Sequence, residues 1–214
     1  MKIDITIPEN INEITLRQYQ EFDKLNIENE SILRLKMIEI FCNVDEVIVR
    51  NMKASDIVEI CNGINQMFDI NHNLINRFKL NGVEYGFIPA LDDMTFGEYV
   101  DLDTYIGDVQ ELHKAMNVLY RPVILKQRGK YLIDEYKPDT FNNMLDMPLG
   151  VALGSMVFFW NLGTELSEVT INSLVKENKG NILQSLNLDN DGDGTRLSMD
   201  SLRAILQDLK ISLN

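Results

Sequence analysis

The sequence predicts an α+β fold: a helix-dominated single domain with an N-terminal strand, small β-hairpins and an amphipathic C-terminal helix. In several segments apolar residues recur every three or four positions, which is typical of helices with one buried face. Asn81-Gly82, a dipeptide that type I′ hairpin turns favour, stands between two short alternating segments. A chain of 214 residues can also bury a core without disulfides or metals.

The N-terminal part predicts one strand followed by helices. Residues 2–7 alternate isoleucine with polar residues before Pro8, which indicates a half-buried strand that ends there. Thr15 and Gln18 have the spacing of a capping box, so we expect a helix to begin after Thr15. Apolar residues at helical spacing predict two further helices, over 30–42 and 54–69.

The central part predicts two hairpins with helices between them. Strands at 77–80 and 83–88 flank Asn81-Gly82, and Thr95 with Glu98 forms a second capping box that opens a helix to Ile106. Asp108 is expected to cap the next helix. The remaining predicted elements are a helix over 109–119, a second hairpin with strands over 123–126 and 130–134, and a short helix from Pro138.

A long apolar helix is predicted over 148–176. Its apolar stretch at 148–162 is shorter than the roughly 20 residues that span a bilayer, and it contains Asn161. A helix that is apolar on all sides is usually buried in protein. We expect it to be the central core helix, or to be covered in part by another subunit.

The composition changes after this helix, and this change divides the chain into three predicted regions. Residues 1–176 form the main α+β domain, and 177–198 form a flexible connection rich in Asn, Gly and Asp. Residues 199–214 form the C-terminal helix, which either moves freely or docks on a partner. The apolar residues that would form its docking face are Leu202, Ile205, Leu206 and Leu209.

The net charge limits the classes of partner. Lys and Arg total 20 and Asp and Glu total 33, which gives −13 at pH 7. This excess of acid argues against direct nucleic-acid binding and against docking on an anionic membrane. The N-terminus lacks the pattern of a signal peptide, so we expect the chain to fold in a cytoplasm. Cys42 and Cys61 are accordingly predicted to be buried, reduced thiols.

A segment near the C-terminus resembles an EF-hand calcium loop. Acids stand at loop positions 1, 3, 5 and 12, and a glycine stands at position 6. Arg196 at position 8 and the absence of a second hand depart from the pattern, so an Asp/Gly-rich turn before a helix is the other interpretation. If the loop binds Ca²⁺, the metal ligands are Asp189, Asp191, Asp193 and Asp200; otherwise we expect no cofactor.

The charges between residues 91 and 133 are segregated. Acids occupy 91–111 with no base among them, and bases occupy 112–133 with no acid among them. Complementary patches suit a head-to-tail contact between copies, which closes into a ring where the rotation allows. The residues of this predicted interface are Asp92, Asp93, Glu98, Asp101, Asp103, Lys114, Arg121, Lys126 and Arg128.

Two other interpretations of these charges remain open. One is a solvated face whose local ion pairs contribute little to stability. The other is a metal site or acid/base pair that uses Asp92, Asp93 and Glu98. The sequence contains no nucleophile elbow, P-loop or dinucleotide-binding motif, and His72 and His113 have no evident nucleophile partner. We therefore expect a protein that is not an enzyme.

Several segments also resemble a known group of proteins. These are 15–19, 78–103, 119–122, 147–149 and 158–163, so the likeness covers most of residues 1–165. They are similar to virion or tail-assembly proteins of tailed bacteriophages of gut Bacteroidota, including crAss-like phages.

The resemblance implies a non-enzymatic structural or assembly protein that acts through protein–protein contacts. It would be a tail or neck ring component of the virion, or a tail-assembly factor in the host cytoplasm. Its partners would be other phage structural proteins and further copies of itself. A calcium-responsive binding module built on residues 189–200 is the alternative.

Overall fold

A computed structural model describes residues 5–177, with side chains as far as Thr164. The predicted α+β class is confirmed, with a four-stranded antiparallel sheet among helices. The helices are α1 (Leu16–Asp23), α2 (Glu30–Phe41), α3 (Glu46–Arg50), α4 (Ala54–Phe68), α5 (Phe96–Tyr105), α6 (Leu112–Leu119) and α7 (Leu149–Glu177). The strands are β1 (Arg77–Leu80), β2 (Val83–Phe87), β3 (Tyr120–Gln127) and β4 (Lys130–Ile133), and short 3-10 helices cover Ile11–Glu13, Leu91–Asp93, Val109–Glu111 and Pro138–Asp146.

Both predicted hairpins are present. Asn81 and Gly82 have φ of 50° and 81°, and Arg128 and Gly129 have φ of 50° and 80°. Positive φ at both central residues is the requirement of a type I′ turn, which matches the twist of the flanking strands. The sequence did not predict that the hairpins join into one sheet, in the order β1-β2-β3-β4.

Strand β3 changes partner along its length. Its first residues pair with β2, ending at Pro122 opposite Tyr85, and its later residues pair with β4. The register shifts between Val123 and Leu125, as at a β-bulge, which bends a strand. The ring of Tyr131 on β4 lies where a side chain on Gly86 would stand, since a Cβ there would come within 2.5 Å of it. The β3–β4 hairpin is therefore folded across β2.

Helix α7 forms the centre of the core. Leu149, Ala152, Leu153 and Met156 are fully buried. The Tyr120 hydroxyl lies 2.9 Å from the hydroxyl oxygen of buried Ser155, so this buried polar side chain is satisfied. The predicted apolar helix is buried from Leu149 to Val157, whereas 158–160 are half-buried and Asn161 is exposed. Among the residues described no helix is both long enough and apolar enough to cross a membrane.

The remaining helices lie close to their predicted bounds. The Thr15–Gln18 capping box is formed, with the Thr15 N–H donating to Gln18 Oε1 over 2.9 Å. Helix α3 was not predicted because five residues are too short to show a helical period, although Asp45 caps it. The segments predicted as helices from residue 109 and from Pro138 form 3-10 turns, and the first continues directly into α6.

The N-terminal strand differs from its prediction. Residues 5–7 are not in a strand, and 1–4 lie outside the described residues. Ile5 packs against the core, whereas Ile7 is 41% exposed. Ile5 and Ile7 would share one face of a strand, so their different exposure shows that the alternation does not mark a buried strand face. The flexible connection, the C-terminal helix and the calcium loop predicted beyond residue 177 also lie outside the described residues.

Candidate interaction surface

The two charge-segregated segments lie next to each other in the fold. The acidic segment forms the 3-10 turn Leu91–Asp93, helix α5 and the turn Val109–Glu111. The basic segment forms α6, β3 and β4, and α6 runs into β3 with no loop between them. Its bases are consequently spread from the middle of the domain to the tip of the second hairpin.

Glu98 and Arg121 face each other inside the molecule. Arg121 Nη1 lies 2.7 Å from Glu98 Oε1, and the side chains are only 11% and 7% exposed, for Arg121 and Glu98 respectively. Glu98 Oε2 accepts hydrogen bonds from the Thr95 N–H at 2.7 Å and from its hydroxyl at 2.8 Å, which completes the predicted capping box. This pair fastens α5 to the sheet, and it leaves neither charge on the surface for the predicted interface.

Lys114 is also engaged within the molecule. It forms an ion pair with Glu111, and its ammonium lies 5.0 Å from the ring centroid of Tyr105 and 5.4 Å from that of Phe141. A cation over aromatic faces is attracted by the negative charge above the rings. The hydrogen bond from Lys114 to Glu111 raises the pKa of this lysine. Lys114 thus holds the α5–α6 region together.

Among the predicted acids, Asp92 and Asp93 are exposed on the turn before α5. Asp101 accepts a hydrogen bond from the Tyr136 hydroxyl at 2.8 Å, and burial together with this carboxylate raises the pKa of Tyr136 far above its usual range. Asp103 is half-buried. Of the five acids of the predicted interface, Asp92 and Asp93 are therefore the two that are exposed.

The tip of the second hairpin carries the exposed bases. Lys126 forms an ion pair with Glu84. The hydrogen bond from this lysine lowers the pKa of Glu84. Arg128 and Lys130 stand at the turn and are exposed. The predicted charge segregation is thus present at the surface in reduced form, with Asp92 and Asp93 in one group and the bases of the hairpin tip in another.

Exposed apolar side chains accompany both groups of charges. On α5, Phe96 is 81% exposed, Tyr99 45% and Val100 43%. On the hairpin, Ile124 is 63% exposed, Leu125 53% and Leu132 55%. The sequence does not predict that these residues are exposed, because α5 has apolar residues on both its faces and the bulge in β3 turns two adjacent residues outward.

We name these two surfaces by their residues. The acidic face comprises Asp92, Asp93, Phe96, Tyr99 and Val100; the basic arm comprises Ile124, Leu125, Lys126, Arg128, Lys130 and Leu132. They border common cavities: Asp93 and Leu132 line one of ≈ 580 Å³, and Asp92 and Lys130 line another of ≈ 860 Å³. The surfaces are neighbours on one side of the domain rather than opposite ends of it.

The same cavities show whether Asp92, Asp93 and Glu98 lie together, as a metal site or an acid/base pair would require. Asp93 and Glu98 line the first, together with Arg121 and Tyr136, whereas Asp92 lines the second. The structure therefore does not bring the three carboxylates to one cavity. Among the described residues no group of three or more His, Cys, Asp or Glu is placed to hold a metal ion.

The cysteines and histidines lie in the interior. Cys42 and Cys61 are buried and free, as predicted, and burial together with the neighbouring Cys61 raises the pKa of Cys42 to about 11. His72 and His113 are buried, and burial lowers the pKa of each. His113 Nδ1 lies 3.1 Å from the Gln20 amide nitrogen. His113 therefore makes the contact of a core residue.

The remaining predicted site residues lie outside the described residues. They are the calcium ligands Asp189, Asp191, Asp193 and Asp200 and the C-terminal docking residues Leu202, Ile205, Leu206 and Leu209. Comparison of the chain with protein-family models, curated proteins and solved structures gives no match.

Proposed function

We propose that this protein is a non-enzymatic assembly protein whose copies associate through the basic arm of one and the acidic face of another. The observation that carries the proposal is the pairing of exposed apolar side chains with opposite charge on two separate elements. Interfaces combine an apolar centre, rich in aromatic residues, with complementary charges that set orientation.

The contact follows from what each surface presents. Leu125 and Leu132 are paired across the β3–β4 hairpin, so both lie on one side of the arm and can cover Phe96 of a neighbour. Arg128 and Lys130 at the arm tip would then approach Asp92 and Asp93. Because the two surfaces are adjacent, the contact can be reciprocal in a two-fold pair or repeated around a ring.

We propose further that this association serves a tailed bacteriophage, as a tail or neck ring component or as a tail-assembly factor. The support for this role is the resemblance that residues 78–103 and the other segments named in the sequence analysis bear to phage virion and tail-assembly proteins. A closed ring of many copies favours a component of the particle. A small oligomer favours an assembly factor.

Charge-exchange variants test the contact. The double variant Arg128→Glu/Lys130→Glu reverses the arm, and Asp92→Lys/Asp93→Lys reverses the acidic face. We expect each to be less associated than the wild type at low salt by light scattering, and we expect an equimolar mixture of the two to recover association. Lys53→Glu, an exposed base at the start of α4, is the matched control and should leave association unchanged.

The proposal also predicts a dependence on salt. Ions screen exposed charges beyond about 8 Å at physiological ionic strength, so added salt should weaken the contact. A wild-type protein that is monomeric at low salt and high concentration would contradict the proposal. So would charge-reversed variants that associate as the wild type does.

A further inference from the structure

A second feature, distant in sequence from the interaction surface, is a cavity of ≈ 380 Å³ between α1, α2 and α4. Its interior is apolar and its rim is polar. Tyr19 and Phe41 are buried, Phe22 and Phe68 are half-buried, and Asp23 and Asp69 are exposed at the mouth. Small-molecule sites have this construction: a mostly apolar cavity of about 300–1,000 Å³ with a few polar groups.

The four aromatic rings form a continuous wall. The ring centroids of Phe22 and Phe41 are 5.0 Å apart, those of Phe41 and Phe68 are 6.4 Å apart, and those of Phe68 and Tyr19 are 6.1 Å apart. All three pairs are tilted, with interplanar angles of 43° to 47°. Phe22 and Phe68 are the half-buried members of this wall, so their rings have the most surface left for an occupant of the cavity. The face of an aromatic ring is the part that attracts a cation.

The charged side chains among the described residues that line the cavity are both acidic. Asp23 and Asp69 contribute two carboxylates, and no lysine or arginine is among the described residues that line the cavity. Helix α1 ends at Asp23 and α4 ends at Phe68, so the negative ends of two helix dipoles also border the cavity. The Gln110 amide donates to Asp23 Oδ2 at 2.8 Å, which fixes that carboxylate in place.

We infer that this cavity binds an organic cation with an apolar body, of the quaternary ammonium class. The aromatic wall would receive the methyl groups, and the two carboxylates would receive the positive charge at the mouth. Neither feature suffices alone: an aromatic wall accepts any apolar group, and exposed carboxylates attract any cation. A methylated ammonium group satisfies both, and aromatic rings are the usual means of recognising it.

Choline and its uncharged isostere 3,3-dimethyl-1-butanol are the probes that separate charge from shape. We expect a titration followed by NMR to show saturable shifts with choline in the millimolar range. The alcohol, which has the same shape without the charge, should bind about tenfold more weakly. Shifts should be centred on residues of α1, α2 and α4.

Two variants and two controls locate the site. Phe68→Leu keeps an apolar side chain but removes a ring, and Asp69→Asn keeps the shape but removes a charge; each should weaken choline binding at least threefold. Phe141→Leu and Asp139→Asn make the same changes away from the cavity and should leave binding unchanged. Circular dichroism establishes that each variant is folded.

Three results would overturn the inference: no saturable shift with choline, equal binding of the alcohol, or wild-type binding by the Phe68→Leu/Asp69→Asn double variant. None of these depends on self-association, because the basic arm and the acidic face share no residue with this cavity.

Discussion

At the scale of single residues, Glu98 shows how one side chain takes two roles. The capping box with Thr95 is visible in the sequence, because its spacing is local. The ion pair with Arg121 is not visible, because those residues meet only when α5 packs beside β3. Charge segregation in a sequence therefore overstates the charge that reaches the surface, since some acids and bases neutralise each other inside.

The buried pair gives the first prediction. Glu98→Ala leaves the Arg121 guanidinium buried without its partner, and we expect it to lower the free energy of unfolding by about 3–5 kcal/mol. The double variant Glu98→Gln/Arg121→Met should be more stable than Glu98→Ala, because glutamine can complete the capping box and no buried charge remains. Urea unfolding measures both.

An exposed pair provides the control for that measurement. Arg17 Nε lies 2.7 Å from Asp146 Oδ1, at a similar distance but with side chains about half exposed (51% and 48%). Because solvent screens such a pair, Arg17→Ala should cost less than about 1 kcal/mol. Equal losses at the two pairs would contradict the importance of burial at Glu98.

At the scale of elements, helix α7 passes close to the backbone of residues 73–74 at Gly154. A Cβ on Gly154 would lie 2.3 Å from the Asn73 carbonyl oxygen, a backbone atom that cannot rotate away. The apolar pattern predicted this helix, but it could not show which turn the 73–74 backbone crosses. The glycine at that point is required by tertiary packing, not by the helix itself.

The second prediction compares two helical glycines. Gly154→Ala should destabilise the protein by about 1–3 kcal/mol, the usual cost of overpacking a core. Gly63→Ala in α4 should stabilise it by about 0.5–1 kcal/mol, because nothing lies within 4 Å of the added Cβ and alanine favours helix. Thermal unfolding of the two variants should therefore shift in opposite directions.

The turn of the second hairpin gives the third prediction. Arg128 has a φ of 50°, where asparagine is tolerated better than arginine. Arg128→Asn should stabilise the hairpin by a few tenths of a kcal/mol, on the order of 0.5. It also removes a charge from the basic arm, so light scattering should show weaker association. A variant that is less stable than the wild type would contradict the first expectation, and unchanged association would contradict the second.

At the scale of the whole molecule, two buried histidines couple the core to pH. His113 packs against the ring of Phe141, with ring centroids 5.7 Å apart, and His72 is 6% exposed. Burial lowers the pKa of both below the value of 6.5 expected in the unfolded chain. The unfolded state therefore binds more protons than the folded state as the pH falls through that range.

The fourth prediction follows from that sign. The contribution of the two neutral histidines to stability is fully present above about pH 6.5. It is lost as the pH falls towards the lower pKa values that these histidines have in the folded state. The melting temperature should be lower at about pH 5.5 than at about pH 8. The double variant His72→Gln/His113→Gln should show a smaller decrease in melting temperature over the same pH interval. A decrease equal to that of the wild type would mean that protonation of carboxylates, not of these histidines, causes the effect.

The sequence by itself determined the class of fold, the principal helices, both hairpin turns and the burial of the two cysteines. These depend on local spacing, such as the helical period, the capping boxes and Asn81-Gly82. Tertiary structure alone decided that the hairpins form one sheet, that Arg121 neutralises Glu98 and that four aromatic residues line one cavity. The reason is physical: pairing, burial and cavity shape depend on which elements meet in space, and those contacts join residues far apart in the chain.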